Sequence, residues 1–320
     1  MAYDESGGRS ADTFRTSLYV VLVICFGTIL HPELKAFYKR GHGGIKNTVS
    51  FIDTIFATIF LAGLRLATAR SRNASGSEGP SVPVLVKLRW AAPPGIFVFL
   101  VITLSTWANF LSYKAFAMLG PCELIFVWIF ARFLQAEERR LPLCSDLPAV
   151  LLTALGSLFF SIAEVTGQGS TNVEAIVASL LCRACQALMT VSLRSCCLAL
   201  KSEEGQRSVG ILEITVWKLL VTSLLCLPYA LLTEGFASWS AITSRELWAD
   251  PASAALLIGS VCITTGFQFT TVGVNAGLRS PLVAVLLGTL QPLTGVALVL
   301  AFSGSPFCQA LGLKPRNSPL

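Results

Sequence analysis

The sequence predicts an all-α membrane protein with about nine transmembrane helices. Charged residues make up 13% of the 320 positions and hydrophobic residues 53%, at a mean hydropathy of +0.68. Soluble domains carry about 25% charged residues, and one core of this chain length could not hide so much apolar surface from water. The apolar residues also fall in long blocks without charge, each near the roughly 20 residues a helix needs to cross the hydrocarbon. These blocks are continuously apolar. A closed membrane barrel would alternate apolar and polar side chains, so the pattern selects helices.

The blocks lie at 14–32, 48–66, 93–112, 116–134, 147–165, 173–193, 210–232, 253–275 and 280–302. The first has the shortest uncharged core and runs into His31-Pro32. Before it, residues 1–13 form a polar tail of mixed charge, without the pattern of a cleavable signal. Residues 67–92 are the one long connection. Their RSRNASGSEGPSVP stretch has the composition of a flexible loop. Orientation follows from Lys and Arg. The side that holds the N-terminus collects Arg9, Arg15, Arg65, Arg70, Lys87, Arg139 and others, thirteen in all, against seven on the opposite side. That excess predicts a cytoplasmic N-terminus. The sequon Asn73-Ala74-Ser75 then faces the cytoplasm and is expected to stay unglycosylated.

Several function classes lose support at this stage. The net charge of +6 comes from basic residues between apolar blocks, where membrane orientation explains them without nucleic acid. There is no Walker loop, HExxH or GxSxG motif, and the two histidines, His31 and His42, lie close to one terminus. Convergent acid and base groups are therefore missing, and neither an enzyme nor a cofactor or metal is expected. Eight of the ten cysteines, including Cys182 and Cys185 in a CxxC, sit in or at the end of apolar blocks and read as small packing residues.

Polar side chains inside a span are costly unless they face a cavity or a partner. Ser105, Asn109 and Ser112 are spaced four then three on the third span. Ser179, Arg183, Gln186 and Thr190 on the sixth, and Thr264, Gln268, Thr271 and Asn275 on the eighth, are spaced four, three, four. Each set is one face of a helix. Such residues can glue helices together or line a cavity, and both readings stand. Asp53, Arg183 and Lys218 are full charges within spans, each costing about 2.5–3.5 kcal/mol at a helix centre. Arg183 and Lys218 are read as cavity cations for an anionic substrate, with an ion pair to Asp53 as the competing reading. Glu123, after Gly120-Pro121, fits the first turn of a helix and has a structural explanation.

Residues 156–175 carry Gly156, Ser161, Glu164 and Ala175; Glu138-Arg139 follows the fourth span, Glu234-Gly235 the seventh, and Ser280-Pro281-Leu282 with Gly288, Phe302 and Pro306 mark the ninth and its exit. In this order and spacing, from about residue 100 to 312, the chain resembles the triose-phosphate and nucleotide-sugar transporter family. The resemblance implies ten helices in two inverted five-helix repeats, and alternating-access exchange of phosphorylated solutes. Residues 14–165 would be the first repeat. Residues 173–302 would be a second repeat lacking its last helix, because the tail 303–320 contains Lys314, Pro315 and Arg316 and is not expected to span. Phosphate-exchanging members carry a lysine three residues after the glycine of helix nine, where this chain has Gln291. An amide there departs from a fixed positive charge and argues against triose phosphate.

The expected function is thus secondary transport of a nucleotide sugar or related anionic metabolite, by antiport, across a Golgi or other endomembrane. The candidate substrate contacts are Asn109, Arg183, Gln186, Lys218, Gln268, Thr271, Asn275 and Gln291. Membrane lipid, and a second copy of the chain, are the candidate partners. The alternatives are a general drug and metabolite exporter and a non-transporting membrane scaffold.

Overall fold

The computed structural model of the chain describes residues 5–38, 43–73, 82–139, scattered positions between 147 and 159, 173–201, 209–278 and 280–288. Among these, 93% are helical and there are no strands. The helices are α1 (Glu5–Phe37), α2 (Lys46–Asn73), α3 (Val84–Met118), α4 (Cys122–Leu134), α5 (Ala136–Arg139), α6 (Val173–Lys201), α7 (Ile211–Glu234), α8 (Ala237–Thr243), α9 (Arg245–Ala249), α10 (Pro251–Gly277) and α11 (Pro281–Gly288). Five segments are long and apolar enough to cross a membrane: Lys46–Ala69, Val84–Ser112, Val173–Leu200, Ile211–Glu234 and Pro251–Gly277. Thr13–Gly27 of α1 is a shorter apolar stretch.

Local chemistry sets several of these boundaries. Asp250 caps α10 by accepting from the N–H groups of Ala252 and Ser253, both at 3.2 Å, and from the Ser253 hydroxyl at 2.6 Å. Pro251 occupies the first turn, where its missing N–H costs nothing. Gly235 ends α7 with a positive φ of 66°, a conformation glycine adopts without penalty.

The structure revises three expectations. The block 116–134 is not one continuous helix. A turn over Leu119–Pro121 breaks it, because Pro121 has no N–H and Gly120 favours the turn. The resulting α4 has 13 residues and a length of about 20 Å, short of the roughly 30 Å hydrocarbon layer. Just upstream, Ser112 leaves helical geometry (φ −161°, ψ 106°), at the position where the block 93–112 ends. The connection read as 67–92 is also shorter than expected, since α2 runs to Asn73 and α3 starts at Val84. Lastly, α1 continues through His31-Pro32 to Phe37. The block 147–165, most of 280–302 and the tail 303–320 lie outside the described residues.

The long helices pack in a definite pattern. α3 lies along α6, α1 along α10 and α2 along α7, while α3 also meets α7 and α10 meets α2. Glycines permit the closest of these approaches. A Cβ at Gly95 of α3 would sit 2.7 Å from the Lys218 carbonyl of α7, and one at Gly273 of α10 would sit 2.6 Å from the Tyr19 ring of α1.

The two ends of the bundle are fastened by charge. At one end Glu213, in the first turn of α7, pairs with Arg65 of α2 at 2.7 Å and Lys87 of α3 at 2.8 Å. At the other, Glu234 closes α7 and caps α2. Its carboxylate accepts from Asn47 N at 2.6 Å, Thr48 N at 2.9 Å and the Thr48 hydroxyl at 2.7 Å. A carboxylate there also complements the positive end of the α2 dipole. Glu234→Ala removes an acceptor from three donors, and an unsatisfied buried donor costs about 1–3 kcal/mol. We expect a fall of several degrees in the unfolding temperature in detergent, with Glu234→Gln falling less; equal melting of both variants and wild type would remove the capping role.

Candidate functional site

The polar stripe of α10 faces the protein interior. Thr264, Gln268 and Asn275 are all buried, because this face of α10 meets α1, α2, α6 and α7. On α3, Asn109 is half-buried, and its Oδ1 is shielded from solvent.

Two of the predicted residues meet directly. Lys218 of α7 is 0% exposed, and its ammonium donates to the Gln268 side-chain Oε1 at 2.8 Å and, more weakly, to the Gln268 carbonyl at 3.4 Å. Lysine has only donors, so the amide oxygen must be the group that faces it. Both partners are neutral. Cys196 and Cys197 of α6 are close enough to act electrostatically on the ammonium.

Arg183 and Gln186 form a second cluster with the broken α3–α4 segment. Arg183 Nη1 donates to Gln186 Oε1 at 3.0 Å, and Nη2 donates to the Phe116 carbonyl at 2.8 Å. Its guanidinium lies 4.1 Å from the Phe116 ring centroid, within cation–π range. The Phe116 carbonyl belongs to the turn of helix that ends before Leu119–Pro121, where carbonyls lose their helical partners. The Glu123 carboxylate, at the start of α4, is close enough to act electrostatically on Arg183.

The remaining predicted residues extend the α10 stripe. The Thr271 hydroxyl donates to Phe267 O at 2.7 Å, and Asn275 Nδ2 donates to Thr271 O at 2.9 Å. Arg194 of α6 reaches the Asn275 carbonyl at 2.8 Å. Gln291 lies outside the described residues. The competing ion pair is not formed: Asp53 is bonded to the Ser260 hydroxyl at 2.7 Å, while Arg183 and Lys218 have the partners above.

Three predicted residues keep an unpaired buried polar atom among the described residues: Asn109 Oδ1, Arg183 Nε and Asn275 Oδ1. Buried polar atoms are almost always satisfied in proteins, so these mark hydrogen-bonding capacity that a water or a polar solute group can use. Sequence reasoning missed the Glu234 cap and the role of Arg194. Arg194 stands near the end of its block, where a basic residue is unremarkable.

Fold and site together define an α-helical, membrane-embedded protein with a polar, cation-bearing interior. No protein-family model matches the sequence, and no curated relative matches it.

Proposed function

We propose that the chain is a secondary transporter for an anionic metabolite, a nucleotide sugar or a related phosphorylated compound, working by exchange across an endomembrane with the N-terminus in the cytoplasm. The observation that carries this reading is Lys218, a buried cation within a membrane helix that is bonded, among the described residues, only to the neutral Gln268 of the facing stripe. A charge in that position is expensive to insert, and an anion that binds it offsets the expense. The unpaired atoms of Asn109, Arg183 and Asn275 supply further contacts for a polar solute.

The helix pairing supports an architecture of two related halves. Number the helices by span, so that α1, α2, α3 and α4 correspond to α6, α7, α10 and α11. Exchanging the two sets turns the α3–α6 contact into α10–α1, and α3–α7 into α10–α2. It also turns α4–α6 into α11–α1, and it leaves α2–α7 and α4–α11 as pairs. A two-fold relation between halves has this consequence, and such repeats hold substrate between them near mid-membrane. It also makes the stripes of α3 and α10 equivalent.

The complete burial of Lys218 and Asn275 favours a second reading, a non-transporting scaffold whose polar groups only join helices. Reconstituted proteoliposomes loaded with nucleoside monophosphate separate the two. The transporter reading expects saturable uptake of at least one nucleotide sugar from a panel, and stimulation by the internal nucleotide. Uptake of neutral or cationic drugs alone would favour a general exporter, and no uptake of any class would favour the scaffold.

A further inference from the structure

Asp53 lies on α2 about two turns from its start, 4% exposed, facing α10. Its carboxyl is bonded to a hydroxyl of the α10 stripe, that of Ser260. The Ser260 hydroxyl is 2.7 Å from Asp53 Oδ1 and 2.9 Å from the Leu257 carbonyl, both ordinary hydrogen-bond lengths. A serine hydroxyl has one hydrogen and can donate only one full bond. If Asp53 is ionised, Ser260 has to serve two acceptors with that single hydrogen. If Asp53 carries a proton, the chain closes: Asp53 donates to Ser260 Oγ, and Ser260 donates to Leu257 O. Every contact is then satisfied, and no bare charge is left in the membrane interior.

Among the described residues no cation is paired with Asp53; Lys46, on its own helix, lies over the Tyr38 ring at 5.7 Å. On α7, Lys218 is engaged by Gln268. Tyr38, at the end of α1, lies within electrostatic reach of Asp53 and of Glu234 at the end of α7. Burial holds the Tyr38 phenol above its usual range, so it stays neutral. Arg65, Lys87 and Glu213 are grouped at the far end of α2, α3 and α7.

Ser260, Thr264 and Gln268 are spaced four and four on one face of α10. The carboxyl site and the Lys218 site thus share a stripe, about 12 Å apart along the helix axis. We propose that Asp53 is a proton-binding site within the membrane, and that its proton is taken up and released as α2 and α10 part during substrate movement. On release the carboxyl O–H bond breaks, and the proton passes to water entering between the two helices. The Ser260 hydroxyl then turns from Leu257 O to Asp53. The proton-binding half of this inference stands on geometry alone, and its coupling to flux rests on the transport reading above.

Two measurements test the halves separately. Infrared spectroscopy of the purified protein in lipid nanodiscs should show a protonated-carboxyl C=O band at neutral pH that is absent from Asp53→Asn and shifted in Ser260→Ala. Asparagine copies the donor and acceptor pattern of the protonated acid, so the first variant keeps the packing, and a normal melting temperature verifies that. Identical wild-type and Asp53→Asn spectra would overturn the proposal. In proteoliposomes supplied with UDP-glucose and GDP-mannose, an imposed pH gradient should raise wild-type accumulation severalfold and leave Asp53→Asn at simple exchange. Uptake that ignores the pH gradient, or follows a sodium gradient instead, would overturn the coupling. No uptake by wild type, with the infrared band present, would sink the transport reading and leave the proton site standing.

Discussion

Lys218→Met is expected to reduce nucleotide-sugar uptake by tenfold to a hundredfold while the protein stays folded. Methionine fills a similar volume, so the close contact of α7 with α3 at Gly95 survives. The substitution removes a charge that is fully buried and bonded, among the described residues, only to Gln268. Hydrogen bonds to charged groups contribute about 1.5–3 kcal/mol, which corresponds to roughly that range in affinity. Stability moves the other way or hardly at all. The freed Gln268 oxygen costs about 1–3 kcal/mol, but a desolvated ammonium is no longer held in the membrane interior. Adding Gln268→Leu to Lys218→Met removes the orphaned acceptor as well. The double variant should recover any lost melting temperature without recovering uptake, a non-additivity that a double-mutant cycle reads directly. If uptake is unchanged and only stability falls, Lys218 and Gln268 serve as glue between α7 and α10.

How far this site could be read from sequence depends on the kind of fact in question. Lys218 stood out as a charge within an apolar block, and Gln268 as part of a four-three-four stripe, because depth and helical face follow from spacing alone. Their contact did not, since it depends on which helices are neighbours. Nothing local says that α7 packs on α10, or that Asp53 meets Ser260 and not a cation. A helix start was legible at Gly120-Pro121, where glycine and proline write it, whereas the Asp250 cap at Pro251 lies upstream of the block 253–275. The ends of α1 and α2 were not, because polar residues continue a helix as readily as they end a membrane span. Hydropathy reports the membrane edge, whereas α1 keeps its backbone bonds through to Phe37. Glu234 was noticed only as a short pair with Gly235; its work as a cap for a helix 186 and 187 residues earlier is a tertiary fact.

Arg183→Ala is expected to lower both folding yield and uptake, and Arg183→Lys to separate the two. The guanidinium ties three things together: the Phe116 carbonyl at 2.8 Å, the Gln186 side chain at 3.0 Å and the face of the Phe116 ring. All of them stand beside the break between Ser112 and Cys122, where the backbone leaves the helix inside the apolar region. Non-helical backbone at that depth persists only if its polar groups are satisfied from elsewhere. Alanine leaves the Phe116 carbonyl without this donor and Glu123 without its nearby cation, together costing on the order of 3 kcal/mol. Lysine keeps the charge and reaches one acceptor, but it lacks the planar fork that serves two acceptors and stacks on a ring. Arg183→Lys should therefore keep most of the yield. Its uptake should still fall at least tenfold if Arg183 Nε, which has no partner among the described residues, is a substrate contact. Uptake in Arg183→Lys that tracks yield point for point would confine Arg183 to holding the broken helix, and would leave Lys218 as the cation that meets the substrate.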